Sequence, residues 1–481
     1  MGIDLEVGAL LSTVYTKRAH RHFNAFWMRT TKMLTPTVLH DVALQSALLI
    51  TVEMYMDVDS SGTQGLMDVL PDAIIHHVLS NIKNARDVAA CSCVCKKWKE
   101  FMSQSLILHF PRNLGDEKNA CSDRIVTRMV LSMTALQRLT VFCHFSPISL
   151  VAWLSHAKST LRHLELRVDD LAEKQPANAS VLKMDELSNC SQLQVLQLWG
   201  VLLSEKPRWQ TFLSLHTLEI VGARLKDLAL HGILTACPAL INLTLLGCSG
   251  VQYATVAMAH LKHCRLDFYG PGDCCIKIVA PRLEHLEVQG AACLHVGEQN
   301  LRHLSVANNA GRVKWLEIGA LYNLKSLSLR GVQWCWESVV TALGQAPALE
   351  DLSMKVEFCG KGNKLEPFPE VDFVDFFTSH SKLKSFELHG AMFAALSQKN
   401  SLSKLTPFFS IDNLERGSLT VRSPINADQK LATLEALLKC SPKLQVLVVK
   451  VSQMKNCDAV ADLLFARIAE LETKHGCLRI E

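Results

Sequence analysis

One apolar pattern recurs along most of this chain and constrains its fold more than any other feature. The pattern is Leu-x-x-Leu-x-Leu or a close variant, and its copies run from Leu136 to Val449. Alternate side chains of a strand point to the same side, so the leucines of each copy form an apolar row and the intervening residues point away from it. No copy can bury that row alone, and successive copies must therefore stack on one another.

The spacing of the copies predicts a solenoid of the α/β class. The intervals from Leu193 to Leu215 and from Leu215 to Leu240 are 22 and 25 residues, inside the window of roughly 20–29 residues typical of leucine-rich repeats. Segments between copies, such as 227–238 and 336–347, have a helical pattern that ends at proline. We therefore expect parallel strands on a concave face and helices outside. Clear copies begin at Leu136, Leu161, Leu193, Leu215, Leu240, Leu283, Leu301, Leu324, Leu349, Leu383 and Leu444, and degenerate copies are predicted at Leu261/Cys264/Leu266 and near Leu414 to Val421.

A shorter helical segment precedes the repeats. Apolar residues recur with helical spacing from Ile74 to Ile82, behind a proline at Pro71. After a polar turn, a second helix is predicted with Asp87 as its N-cap and a basic-aromatic end at Trp98. A module of about forty residues is too small to bury its whole apolar face, so we expect it to pack against something else.

The residues of this segment resemble the F-box motif. A departure is Ala85, where many F-boxes carry Pro, and it falls in the connection between the helices. Repeat boundaries such as Cys237-Pro238-Ala239-Leu240 are similar to the cysteine-containing leucine-rich repeats of F-box proteins. Residues 67–481 as a whole look like plant F-box/leucine-rich-repeat proteins. The matching F-box positions are Leu70-Pro71, Val78-Leu79-Ser80, Asp87-Val88 and Val94-Cys95-Lys96-x-Trp98.

This resemblance implies a non-catalytic subunit of a Skp-cullin-F-box ubiquitin ligase. The F-box would bind the Skp adaptor, and through it the cullin and RING subunits, while the repeats would hold an unknown substrate protein. The alternative is a leucine-rich-repeat scaffold or protein-interaction module outside any ligase. The residues to which the resemblance assigns the adaptor contact are Leu70, Pro71, Ile75, Val78, Leu79, Val94 and Trp98.

Four segments are predicted along the chain. Residues 1–66 form a basic, acid-poor extension that we expect to be poorly ordered or to precede the true start; an organelle transit peptide is the alternative. Residues 67–110 are the F-box, residues 111–456 the leucine-rich-repeat solenoid, and residues 457–481 a C-terminal cap.

Composition limits the classes of partner and compartment. Fifty Lys and Arg face 46 Asp and Glu, too small an excess for the basic surface of a dedicated nucleic-acid binder. The 17 Cys are scattered and odd in number, which favours free thiols in a reducing compartment, the nucleus or the cytoplasm or both. No apolar run approaches the ~18 residues of a membrane span, so we expect no membrane contact.

We find no motif of a catalytic site in the sequence: no nucleophile elbow, phosphate-binding glycine loop or HExxH pattern occurs. The Cys91-x-Cys93-x-Cys95 run is interpreted as structural, because on a helix its middle thiol points away from the other two. We therefore expect no metal and no catalysis.

Outward positions of the strands are the candidates for substrate contact. We expect no cofactor. The alternative is that the histidine row His163, His285 and His303, with nearby arginines, holds an acidic degron or an inositol polyphosphate or other small ligand. Trp199 is an outward aromatic that either anchors a partner or packs under its own loop, and the same alternatives apply to Trp334 and Trp336. The predicted substrate-contact residues are Arg162, His163, Trp199, His285, Arg302, His303 and Arg330.

Overall fold

The computed structural model describes residues 72–112, 121–168, 184–203, 205–297, 300–359, 368–451 and 458–481. The chain divides after Arg167 into two compact units. The predictions for residues 1–66 and for Leu70 and Pro71 lie outside the described residues. None of the described helices is long and apolar enough to cross a membrane.

The first unit begins with three short helices and continues into parallel strands. In order, its elements are α1 (Asp72–Ser80), α2 (Ala85–Ser92), α3 (Lys96–Ser103), β1 (Ile107–Phe110), α4 (Cys121–Ser132), β2 (Arg138–Val141), α5 (Pro147–Ala157) and β3 (His163–Arg167). The strand β2 pairs in parallel with both β1 and β3.

The helix boundaries correct one prediction. Asp87 is not the N-cap of α2, because the helix begins at Ala85 and the side chain of Asn84 accepts a hydrogen bond of 3.0 Å from the Arg86 N–H. The basic-aromatic segment also forms a helix of its own, α3, which is capped by the Cys95 Sγ accepting from the Trp98 N–H at 3.4 Å. The module therefore has three helices rather than two.

The repeat strands of the second unit form one continuous parallel sheet, called here the main sheet. Each predicted copy within this unit, including both degenerate ones, contains a strand that begins two residues after its first apolar position. In hydrogen-bonded order the strands are β4 (Val195–Trp199), β6 (Thr217–Val221), β8 (Asn242–Cys248), β10 (His263–Phe268), β12 (His285–Gln289), β14 (His303–Asn308), β16 (Ser326–Trp334), β17 (Asp351–Phe358), β18 (Ser385–Leu388), β19 (Arg416–Val421), β20 (Val446–Val451) and β21 (Leu478–Ile480).

The core of this unit is the stacked apolar row of the repeats. Leu286 of β12 lies in register with Cys264 on one side and Leu304 on the other, and all three side chains are buried. Each fully buried leucine contributes roughly 1.5–3 kcal/mol of hydrophobic free energy. The α/β class predicted from the pattern is confirmed.

The connections between main-sheet strands are of two kinds. Some are helical, as predicted, but the connections between 249 and 320 carry short parallel strands instead. The helices are α6 (Asp227–Ala236), α7 (Trp336–Gly344), α8 (Phe373–Ser379), α9 (Gly390–Leu396), α10 (Ala427–Cys440) and α11 (Asp458–Lys474), and a 3-10 turn spans Met184–Asn189. The second sheet has the order β15 (Trp315–Ile318), β13 (Ala291–Val296), β11 (Cys274–Val279) and β9 (Tyr253–Ala257), and β5 (Leu202–Leu203) pairs with β7 (Arg224–Leu225).

The strand connections arise where the chain between repeats is short. The copies at Leu283 and Leu301 are 18 residues apart, which leaves little chain for a helix. Gly290 turns the chain directly from β12 into β13 with φ of 85°, and a Cβ there would collide with the Phe268 carbonyl oxygen. Glycine is required at this turn because L side chains rarely adopt such a φ.

Asn308 joins the two sheets of this region. Its side chain is fully buried, and its Nδ2 donates to the carbonyl oxygens of Gly272 at 2.8 Å and Ala291 at 2.9 Å. Its Oδ1 accepts from the Gly311 N–H at 2.8 Å. One amide thus satisfies three backbone groups that belong to different segments.

We expect Asn308→Asp to lower the free energy of unfolding by about 2–4 kcal/mol, because a carboxylate keeps the shape but cannot donate to two carbonyls. Chemical denaturation of the full chain measures this change. The matched control is Asn323→Asp at an exposed asparagine, where we expect less than about 0.5 kcal/mol. Equal effects at the two positions would contradict a joining role for Asn308.

Candidate functional site

The F-box module presents few apolar side chains to solvent. Ile75, Leu79 and Trp98 are buried, Val78 is half-buried, and Val94 is 51% exposed. An ion pair between Lys97 and Asp72 links α3 to α1, but both side chains are exposed enough that it contributes little to stability.

The predicted adaptor-contact residues that the structure describes fall into two groups, buried and accessible. Ile75, Leu79 and Trp98 hold the helices of the module together, so their substitution acts on the fold of the module before it acts on any contact. Val78 and Val94 are the described members of the set that reach its surface. The contact with an adaptor stays a prediction for all seven residues.

The outward face of the main sheet carries a histidine ladder made of His263, His285 and His303. The three residues open β10, β12 and β14 and are register partners. The rings of His263 and His285 are stacked with centroids 4.9 Å apart, and those of His285 and His303 are 6.0 Å apart. The parallel register stacks them, because it places equal positions of successive strands side by side.

The predicted histidine row differs from this ladder. His163 opens β3 in the first unit, directly after Arg162, whereas the third member of the ladder is His263. In the degenerate copy Leu261/Cys264/Leu266, His263 occupies the same repeat position as His285. Alignment of this copy with its neighbours was the sequence signal that could have identified His263.

The surroundings of His303 disfavour its protonated form. Burial lowers the pKa of His303, the Glu287 carboxylate opposes that shift, and His285 adds to it. The carboxylate of Glu287 is itself paired with the Arg265 guanidinium at 3.1 Å. His303, at one end of the ladder, is therefore harder to protonate than a free histidine.

A shallow cationic pocket opens beside the ladder. Its volume is about 770 Å³, and it lies at the points where β10, β12, β14 and β16 begin. Of the residues that line this pocket, only Arg302 was among the predicted substrate-contact residues. The lining residues are Lys262, Arg282, Glu284, Asn300, Arg302, Asn323 and Lys325.

Trp199 and Arg330, the other candidates in the second unit, do not line this pocket. Trp199 is half-buried at the end of β4, and its indole N–H is buried without a hydrogen-bond partner among the described residues. Arg330 is exposed at the fifth position of β16, beside Lys355 of β17. Trp334 is completely buried and Trp336 packs edge-on against Phe358 at 5.1 Å, so both tryptophans pack within the fold.

The described residues offer no group of three or more His, Cys, Asp or Glu side chains arranged for a metal ion. The cysteines described are free thiols, and burial raises the pKa of Cys237 and of Cys264 to about 12. Such thiols remain protonated at neutral pH and pack as small apolar side chains.

The lowered pKa of His303 makes stability depend on pH. A histidine that is harder to protonate when folded binds fewer protons than in the unfolded chain, so its contribution is present at neutral pH and is lost as pH falls through the usual histidine value of 6.5. We expect urea unfolding midpoints of His303→Gln to fall less than wild-type midpoints between about pH 7.5 and about pH 5.5. The exposed His231 of α6 supplies the control His231→Gln, and an equal fall for both variants would refute the effect.

Comparison with known proteins matches both modules. Residues 67–110 match the F-box-like family, and residues 150–310 match the family described as FBD-associated F-box protein At5g56370, LRR repeats. F-box protein At1g10780 of Arabidopsis thaliana is 45% identical over 399 residues, which cover 82% of this chain and 95% of that protein. F-box/LRR-repeat protein At1g67190 of the same plant is 29% identical over 191 residues, 37% of this chain and 43% of that protein.

A third relative has the same two modules in its name. F-box/LRR-repeat protein 25 of Arabidopsis thaliana is 26% identical over 230 residues, which cover 46% of this chain and 84% of that protein. The resemblance found in the sequence is confirmed by the two family matches and by the similarity to At1g10780 over most of both chains. The chain belongs to the plant F-box/leucine-rich-repeat proteins.

Proposed function

We propose that this protein is the substrate-recognition subunit of a Skp-cullin-F-box ubiquitin ligase. The observation that carries the proposal is the union, in one chain, of an F-box with a parallel leucine-rich-repeat sheet, matched over most of its length by an F-box protein. The F-box supports an adaptor role, in which the module binds a Skp adaptor. That adaptor would in turn connect the chain to the cullin and RING subunits.

The proposed mechanism is positional and needs no catalytic group in this chain. The adaptor side fixes the chain to the ligase, and the repeats hold a target protein near the ubiquitin-conjugating enzyme. Tethering raises the effective concentration of the target's lysines at that enzyme and orients them, which converts a bimolecular encounter into an intramolecular one. Bond formation belongs to the other subunits. We place this activity in the nucleus, the cytoplasm or both.

The F-box side of the proposal rests on the exposed apolar side chains of the module. Val94 is 51% exposed although it is apolar, and Val78 is half-buried. These two valines are the described members of the predicted adaptor-contact set that a partner could reach without unfolding the module. An introduced carboxylate at the same position would be buried without a partner on docking.

We expect Val78→Glu with Val94→Glu to weaken binding of a purified Skp adaptor by about a hundredfold or more, since burying an unpaired carboxylate costs several kcal/mol. Pull-down and titration of the full chain measure the effect. The control is Leu213→Glu, at a leucine 78% exposed in the second unit, which we expect to bind normally.

The double change Leu70→Ala with Pro71→Ala tests the motif itself and should also abolish adaptor binding. Circular dichroism and thermal unfolding of each variant separate a lost contact from a lost fold. Unchanged adaptor binding in folded variants, or no binding by the wild-type chain, would remove the ligase role and leave a leucine-rich-repeat scaffold.

A further inference from the structure

Two cysteines lie side by side where β16 and β17 end. Trp334 and Phe358 are register partners at the ends of these parallel strands. Cys335 and Cys359 are the next residues along the chain, and the Cys359 N–H donates to the Trp334 carbonyl at 3.0 Å. The two thiols are in hydrogen-bond contact with each other.

The spacing of the backbone permits a bond between these two sulfur atoms. Neighbouring strands of a sheet lie roughly 4.7–4.9 Å apart. A disulfide requires Cα atoms that are about 4.4–6.8 Å apart. Cys335 and Cys359 can therefore be joined with little movement of the strands that carry them.

Arg312 brings positive charge to both thiols. Its Nη2 donates to the Cys335 Sγ at 3.4 Å, and its side chain also forms a hydrogen bond with Cys359. The next residue, Val313, is bridged to Trp334, which holds this arginine beside the ends of the strands. A guanidinium in contact with sulfur favours the thiolate, which is the form that reacts with oxidants.

The surroundings distinguish the two sulfur atoms. Cys335 is the N-cap residue of α7, so the unpaired N–H groups at the start of that helix add positive charge near it. Burial raises the pKa of the Cys359 thiol, although Arg312 opposes that shift. Cys359 and Arg312 are half-buried, so the cluster borders solvent. These surroundings favour Cys335 as the attacking sulfur and Cys359 as its partner.

A second pair of cysteines offers an internal comparison. Cys275 of β11 and Cys293 of β13 are register partners, and their side chains are also in hydrogen-bond contact. Burial raises the pKa of Cys293 to about 11, and Lys314 opposes that shift. Both pairs have proximity, but among the described residues the contact with a guanidinium distinguishes Cys335 and Cys359.

We propose that Cys335 and Cys359 form a redox modification site, at which a hydroperoxide converts the two thiols into a disulfide. The Cys335 thiolate attacks one peroxide oxygen, the O–O bond breaks, and the departing oxygen takes up protons to leave as water when the oxidant is hydrogen peroxide. Cys335 is then a sulfenic acid. Cys359 gives up its proton and attacks that sulfur, so that an S–S bond forms and the hydroxyl group leaves as a second water.

The disulfide ties the end of β16 to the end of β17 and encloses α7 in a covalent loop. Such a loop limits the freedom of the unfolded chain and opposes local opening of this repeat. Reduction by a dithiol reverses the change, as expected of a disulfide that senses oxidants in a reducing compartment. The chemistry needs neither the Skp adaptor nor a target protein, so it is independent of the proposed function.

The test uses the full chain, which is reduced, freed of reductant and treated with hydrogen peroxide at about pH 7. Remaining thiols are blocked with N-ethylmaleimide, and disulfide-linked peptides are quantified by mass spectrometry after proteolysis. We expect the Cys335–Cys359 linkage to form at least about tenfold faster than a Cys275–Cys293 linkage, and dithiothreitol to reverse it. Absence of the linkage, or equal rates at the two pairs, would overturn the proposal.

Serine variants identify the role of each sulfur. Oxidation of Cys359→Ser should stop at a sulfenic acid on Cys335, which dimedone labels. The matched control, Cys275→Ser with Cys293→Ser, should form the Cys335–Cys359 linkage at the wild-type rate. Circular dichroism checks that each variant is folded. Dimedone on Cys359 in Cys335→Ser, without label on Cys335 in Cys359→Ser, would overturn the assigned order of attack.

Arg312 acts in this scheme as a positioning residue. Arg312→Gln should slow formation of the linkage about tenfold near pH 7, and Arg312→Lys should restore part of the rate. The difference between Arg312→Gln and wild type should narrow at about pH 9.5, where thiols ionise with less help from a cation. A defect of equal size at both pH values would refute the electrostatic role of Arg312.

Discussion

The structure depends on one constraint, that a leucine row is buried only by the rows of its neighbours. Leu286 reaches zero exposure because Cys264 and Leu304 stand beside it in register, and the same holds along the main sheet. A slip of one residue in any strand would turn its leucines outward. Positions in the rows are therefore fixed, and chemical variety is confined to the outward strand positions and to the connections between strands.

That constraint also explains which parts of the fold could be predicted. Rows of leucine identify strands even in degenerate copies such as Leu261/Cys264/Leu266. The strand β1 was missed because Ser105 stands where other copies have their first leucine, although Leu108 and Phe110 continue the row in register with β2. The second sheet was missed because helical patterns in some connections were extended to all of them, whereas the short connection after β12 leaves room only for a strand.

Prediction of the surface was less complete, for physical reasons. The two-residue alternation of a strand correctly placed His285 and His303 on the outward face. Arg282 and Lys262 do not belong to a strand, so the position of their side chains at the pocket depends on turn conformation, which a sequence pattern does not specify. The F-box motif identifies a module, yet it does not say which of its residues are inside. Trp98 is buried although the motif assigns it to the adaptor contact, while Val94 is exposed.

The cationic pocket occurs where the connections are held by hydrogen bonds and close turns rather than by helices. The turn that carries Arg282 is anchored on both sides, because Ala280 and Leu283 are fully buried and the Leu283 N–H donates to the Ala280 carbonyl at 3.0 Å. At the opposite end of these strands, Asn308 fixes the turn around Gly272 to β13 and β14. A guanidinium on such a turn loses little backbone freedom when it binds an anion, and less of the interaction energy is spent on ordering the site. In these short repeats, the register that stacks the leucines therefore also aligns the cations of the pocket. The backbone that carries these cations is already ordered.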